Sequence, residues 1–142
     1  MSIKTEGIQH FFELANGLQT KPANYYIGWA EDIETEIADN ASLTALTELT
    51  GNGYARQPIP SSSTGMISAA GGTNGRTLTT DEVTFTADGG NWNLAKTKFL
   101  TTVISGTAGP LIDTQPLNSG SGIALEDGKN YDVAMQIMAE PQ

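Results

Sequence analysis

Few residues in this chain have the chemistry to act as catalysts. There is one histidine, His10, and no cysteine. Thiolate nucleophiles, disulfides and cysteine-based zinc sites are therefore excluded, and a transition-metal site is not expected. A serine triad needs a histidine as its base, but His10 lies in an N-terminal segment with helical patterning, where a structural role is expected. The acidic stretch "EDIETEIADN" (31–40) suggests calcium. Counted from Asp32, however, Ile37 occupies the sixth place, where a calcium loop requires glycine, so a solvated acidic loop is expected. "GNGYAR" opens like a dinucleotide fingerprint but lacks a third glycine and a following helix, and no GKS or GKT phosphate loop occurs. Paired carboxylates, as in glycosidases, stay open, because sequence spacing does not fix their separation in space.

Arg56 lies in "LTGNGYARQPIP" (49–60), between a glycine turn and two prolines. Strand alternation places Tyr54, Arg56 and Pro58 on one face and Ala55, Gln57 and Ile59 on the other. With Ile59 facing the core, Arg56 is expected to be exposed beside Tyr54, where it could stack and grip a carboxylate bidentately. Two partners are open to it: the acidic loop 31–39, or another subunit.

Charge narrows the partners. Seven Lys and Arg stand against sixteen Asp and Glu, a net charge of −9. Such a chain repels phosphate backbones, so nucleic acid is not an expected partner and basic surfaces are. No apolar run approaches the roughly 20 residues of a membrane span. The first residues carry Glu6, His10 and Glu13 where a secretion signal would be apolar, so synthesis in a cytoplasm is expected. "NAS" (40–42) matches a glycosylation sequon, which that route would leave unused.

The elements that must position these groups fall into two kinds. From residue 5 to 18, Ile8, Phe11, Phe12, Ala15 and Leu18 form a helical stripe, with Thr5 as N-cap and Gly17 as stop. The stripe is expected to dock on the domain's own core. From residue 23 to 142 the grammar is β. "NYYIGWA" (24–30), "DEVTFTA" (81–87), "AKTKFLTTVI" (95–104) and "NYDVAMQIMA" (130–139) read as strands. The last puts Tyr131, Val133, Met135 and Ile137 on one face. In the third, Phe99 and Val103 share a face opposite Lys96 and Lys98. "ASLTALTELT" (41–50) fits a short helix or an irregular strand. Glycine-rich turns separate the strands, and "EDGKN" (126–130) suits a hairpin turn. The expected fold is a single domain, residues 1–142. It is mainly β, an antiparallel sandwich or jelly-roll-like arrangement with an N-terminal amphipathic helix.

The blocks "PANYYIGWAED", "LTELTGNGYARQPI", "VTFTADGGNWNLAKTKFLTT" and "LEDGKNYDVAMQI" occur in an order that covers nearly the whole chain. This order resembles a family of small tailed-bacteriophage virion proteins, described as tail fibre, head decoration or cement proteins. The "GYARQPI" and "VTFTADGGNW" blocks are the specific ones. Trp29-Ala30 stands where relatives carry Leu-Ser or Leu-Thr, and Lys96-Thr97-Lys98 replaces a more apolar stretch. The resemblance implies a virion component without catalysis or cofactor. It would be an oligomer, expected to be a trimer, that binds the major capsid protein and stabilises the shell. Tyr54, Arg56, Pro58, Trp29 and Trp92 are the candidate subunit or capsid interface. Two alternatives stand. One is a tail-fibre module stacking host glycans on Trp29, Trp92, Tyr25, Tyr26 and Tyr54. The other, more remote, is a glycan hydrolase.

Overall fold

The computed structural model describes residues 2–62, 65–71 and 75–139. A two-residue strand β1 (Ser2–Ile3) leads into helix α1 (Thr5–Ala15). Strands β2 (Asn24–Ala30), β3 (Gln57–Pro60), β4 (Met66–Gly71) and β5 (Gly75–Thr80) follow. After them come β6 (Val83–Thr86), β7 (Thr97–Thr101), β8 (Asp113–Pro116), β9 (Asn130–Val133) and β10 (Gln136–Ala139). The strands pair antiparallel in three open sheets: β1-β8-β7-β2-β3, β10-β5-β4 and β6-β9. The protein is thus mainly β with one short helix near its N-terminus.

β2 and β7 lie inside the largest sheet and bury side chains on both faces. Tyr25, Ile27 and Trp29 point into the main core with Phe85, Trp92, Leu100, Ile112 and Met135. Ala30 and Phe99 belong to a smaller cluster on the opposite face with Leu43 and Leu111, and Val103 packs against it. Gly28, paired with Phe99 across the strands, leaves room for the ring. A Cβ there would lie 2.3 Å from Phe99 Cζ. The phenyl ring covers the glycine's bare backbone.

The segment 130–139 keeps its expected alternation, with Val133, Met135 and Ile137 buried and Tyr131 half-buried. It is two strands and not one. β9 pairs with β6 and β10 with β5, so the chain crosses between sheets at Ala134–Met135. The crossing is held by Met135, which donates its N–H to Thr80 Oγ1 and accepts from the Thr80 amide. "EDGKN" does form a tight turn, with Gly128 at φ 76°. It does not join neighbouring strands, because the partner of β9 is the distant β6. Segment 41–50 satisfies both of its expectations in turn. Leu43–Ala45 is a 3₁₀ turn, and Glu48 then bridges Ala30 at the end of β2.

The helix corrects the sequence reading most sharply. It ends at Ala15, short of Leu18, with Gly17 left-handed at φ 67°. Lys4 holds the N-cap position, without a side-chain cap, and Thr5 is helical. The inward residues are Gly7 and His10, with Phe11 partly buried against the core. Ile8, Phe12 and Leu18 are 46%, 66% and 76% exposed. Close approach explains this rotation. A Cβ on Gly7 would sit 2.2 Å from the backbone oxygen of Ile112, and Glu6 accepts the Leu111 N–H at 2.7 Å. The helix is seated on β8's approach by the residue with no side chain. Gly7→Ala is therefore expected to destabilise the protein by about 2–3 kcal/mol through overpacking. Intrinsic helix propensity alone would favour alanine by about 1 kcal/mol. Urea denaturation decides between the two, since the two effects have opposite signs.

Candidate interaction surface

The five residues singled out as an interface lie close together, but mostly inside the chain. Trp29 is fully buried, Trp92 and Arg56 are 6% and 5% exposed, and Tyr54 is half-buried. Only Pro58 is exposed. Alternation failed because residues 54–56 are not strand. β3 begins at Gln57, and its in-out pattern starts only there, with Pro58 out and Ile59 in.

Arg56 is the hub of a polar network. Its Nε and Nη2 donate to Glu48 Oε1 and Oε2 at 2.8 and 2.6 Å, a bidentate pair. Nη1 donates to the Val103 carbonyl and Nη2 also to that of Gly106, at 2.9 and 2.8 Å. The guanidinium lies over the Phe99 ring, 5.3 Å from its centroid. Tyr54 extends the network. Its hydroxyl donates to Glu48 Oε1 at 2.9 Å and accepts the Trp29 N–H at 2.8 Å. Burial, followed by the charge of Glu48, pushes the Tyr54 phenol far up, so it remains a donor. Within the chain the partner is thus Glu48 and not the acidic loop 31–39. The network ties β2, the start of β3 and the loop after β7 into one frame.

The glycine-rich blocks on which the resemblance rests grip one another. Asn52, at φ 50°, donates from Nδ2 to the Asn91 carbonyl, while its own carbonyl accepts from Trp92 Nε1 and the Asp88 amide. Asp127 Oδ1 accepts the N–H groups of Gly89 and Gly90, and Asn91 Oδ1 accepts that of Asp127. Beneath them Trp29 packs on Phe85 at 4.7 Å between centroids, and Tyr54 meets Trp92 edge-on at 5.4 Å. "GNGYAR", "ADGGNW" and "EDGKN" are one knot. A sugar-stacking platform would need these rings at the surface. Trp29, Trp92 and Tyr25 are buried instead, and Tyr26 and Tyr54 only half-exposed.

The acidic segment is fastened and not simply solvated. Asp32 accepts the Thr47 amide, Glu31 accepts from Asn93, and buried Glu34 accepts from Thr114. Lys4, almost fully buried, donates to the Ile37 carbonyl and faces Asp39 at 3.8 Å. Among the described residues, no three His, Asp or Glu side chains are grouped to hold a metal ion. Likewise, no helix among them is long and apolar enough to cross a membrane.

His10 is a packed side chain, 2.9 Å from the Tyr25 hydroxyl. Burial holds its pKa below the usual value, against the opposing pull of Gln19 and Glu13. It borders a cavity of about 410 Å³ together with Glu6, Gln9, Glu13, Gln19 and Ser42. Both carboxylates there are already acceptors, Glu13 from Gln9 and Gln19, Glu6 from the Leu111 amide. Glycoside hydrolysis needs one carboxyl with a raised pKa in reach of substrate. Among the described residues, the carboxyl with a clearly raised pKa is Asp113, pushed up to about 6 chiefly by burial, and it has no exposed surface.

Among the described residues, large apolar side chains are exposed at Ile8 and Phe12, four apart on the outer face of α1, at Leu18 beyond its end, and singly at Ile33, Leu94 and Ile104. Sequence periodicity had found Ile8, Phe12 and Leu18 and assigned them inward. No protein-family model matches the chain, and no curated protein or solved structure matches it.

Proposed function

We propose that this protein is a non-enzymatic structural subunit of a bacteriophage particle, a head decoration protein that attaches to the assembled capsid as an oligomer. A sandwich-like packing of its sheets around Trp29 and Phe85 belongs to the same reading. The observation that carries it is the outer face of α1. The helix is seated by Gly7, Glu6 and His10, yet presents Ile8, Phe12 and Leu18 to solvent. Solvent-facing apolar residues on a firmly held element suit docking to a partner surface. The family resemblance supports the particle context. The net charge of −9 keeps copies apart until a complementary coat surface captures them.

A protein that binds the assembled shell, and not the free coat subunit, adds its binding free energy to particle stability. Particles lacking it are expected to assemble, but to release DNA or rupture at lower temperature. Adding the purified protein back is expected to restore them, and Phe12→Glu to prevent the rescue by removing the docking face. Stripped particles that stay robust but no longer adsorb to cells would replace this reading with the tail-fibre role.

A further inference from the structure

We infer that a cavity beside the acidic segment is a docking site for a basic side chain, a lysine or arginine of a partner protein. The cavity has a volume of about 390 Å³ and is lined by Asp32, Glu36, Ile37, Ala38, Ala41 and Ala45. The polar members are both carboxylates, and the rest are apolar. Ile37 and Ala41 are half-buried and pack on the smaller core cluster, so the floor continues the interior of the protein.

The walls are held in place by the rest of the fold. Asp32 is fixed twice: Thr47 donates its N–H to Oδ2, and Thr97 its hydroxyl to the Asp32 carbonyl, each at 2.6 Å. Lys4 Nζ donates to the Ile37 carbonyl at 3.0 Å, and the Ala41 N–H closes a turn onto the Ala38 carbonyl at 3.0 Å. Such a site is formed before its ligand arrives. Its charge is not spent internally. Glu36 is exposed, and its carboxylate accepts no hydrogen bond among the described residues; Asp32 Oδ1 likewise accepts none.

Charge and shape together identify the occupant. Between Lys21 and Arg56 the chain carries six carboxylates and no Lys, Arg or His. Lys4 reaches this region from the N-terminus, but it is buried and committed to Ile37 and Asp39. An anion is repelled here. An apolar ligand would strip water from two carboxylates without pairing them. A calcium ion needs a shell of oxygen ligands, and alanine side chains supply none. A lysine or arginine meets both demands, its aliphatic stem covering Ile37 and the alanines while its charged head lies at Asp32 and Glu36. The site shares no residue with the outer face of α1 and is tested on the isolated protein, so it stands or falls separately from the particle reading.

The probe is the tripeptide acetyl-Gly-Arg-Gly-amide, followed through the methyl NMR signals of Ala38, Ala41 and Ala45 at low salt. Saturable shifts at all three are expected, with millimolar affinity. Two controls divide the side chain: the citrulline peptide keeps the stem without the charge, and methylguanidinium keeps the charge without the stem. Each is expected to bind about tenfold more weakly. Glu36→Gln is expected to weaken the arginine peptide about threefold, as for an exposed ion pair. Ala45→Leu, at an exposed position, fills the cavity and is expected to abolish the shifts at Ala38 and Ala41 while leaving urea denaturation unchanged. Phe12→Glu is expected to leave binding unchanged. Non-saturable shifts, equal binding of the citrulline peptide or of methylguanidinium, or undiminished binding in Ala45→Leu would each overturn the inference.

Discussion

Replacing Arg56 with alanine is expected to destabilise the protein by about 3–5 kcal/mol, the cost of removing one partner from a buried ion pair. Arg56 is 5% exposed and makes four hydrogen bonds to three residues. Alanine strands Glu48, which would keep only the Tyr54 hydroxyl, and leaves the Val103 and Gly106 carbonyls without their donor. It also uncovers the Phe99 ring that shields Gly28. Lysine is expected to recover only part of the loss, because a point ammonium cannot grip Glu48 as a fork while also reaching two carbonyls. Glu48→Gln is expected to cost less than Arg56→Ala, since the Glu48 side chain is 26% exposed and water can compensate it. For a chain of this size, the Arg56→Ala loss corresponds to a fall in Tm on the order of 10 °C. A change below about 1 kcal/mol in urea denaturation would mean that Arg56 behaves as an ordinary surface residue.

Arg56 also shows where sequence reasoning ends. That the chain is mainly β was legible because β2 is aromatic and β-rich while β6, β7 and the 130–139 segment show alternation, and Phe85, Phe99 and Val133 lie buried where that rule puts them. Arg56 was misplaced because the same rule was extended into residues 54–56, which precede the strand and turn on Gly53 at φ 77°. The helix was legible, but its inward face was not. Hydropathy gives no weight to Gly7, whose value is the absence of a side chain, and little to His10, whose polar ring is satisfied by Tyr25. The knot of glycine-rich blocks depends on contacts such as Asn52 with Asn91 and Asp127 with Gly89. Those residues are 39 and 38 positions apart, and no local pattern links them. Periodicity reports burial along one element; it does not report which loops meet.

The second large effect is in pH. Asp113 has no exposed surface, and its Oδ1 has no hydrogen-bond partner among the described residues. Oδ2 accepts from Gln115 Nε2 at 2.8 Å. Burial raises its pKa from 3.8 to about 6, with the Gln115 bond opposing the shift and the charge of Glu34 adding to it. Lys98, on the neighbouring strand, is itself depressed by burial and pulled back by Asp113. Since the folded-state pKa of Asp113 is the higher one, the folded state binds the proton more tightly than the unfolded chain. The stabilisation from that proton is complete below about pH 4 and is lost as pH rises through 6. A shift of roughly two units corresponds to about 3 kcal/mol withdrawn at pH 7. Asp113→Asn cannot ionise, so it is expected to be more stable than the parent at pH 7, by up to about 3 kcal/mol. The two are expected to converge near pH 4, and the variant's stability to vary less between pH 4 and 7. The measurement is a set of urea denaturation curves across that range. A variant less stable than the parent at pH 7 would show instead that Asp113 works as a needed anion, balanced by Lys98 across the strand.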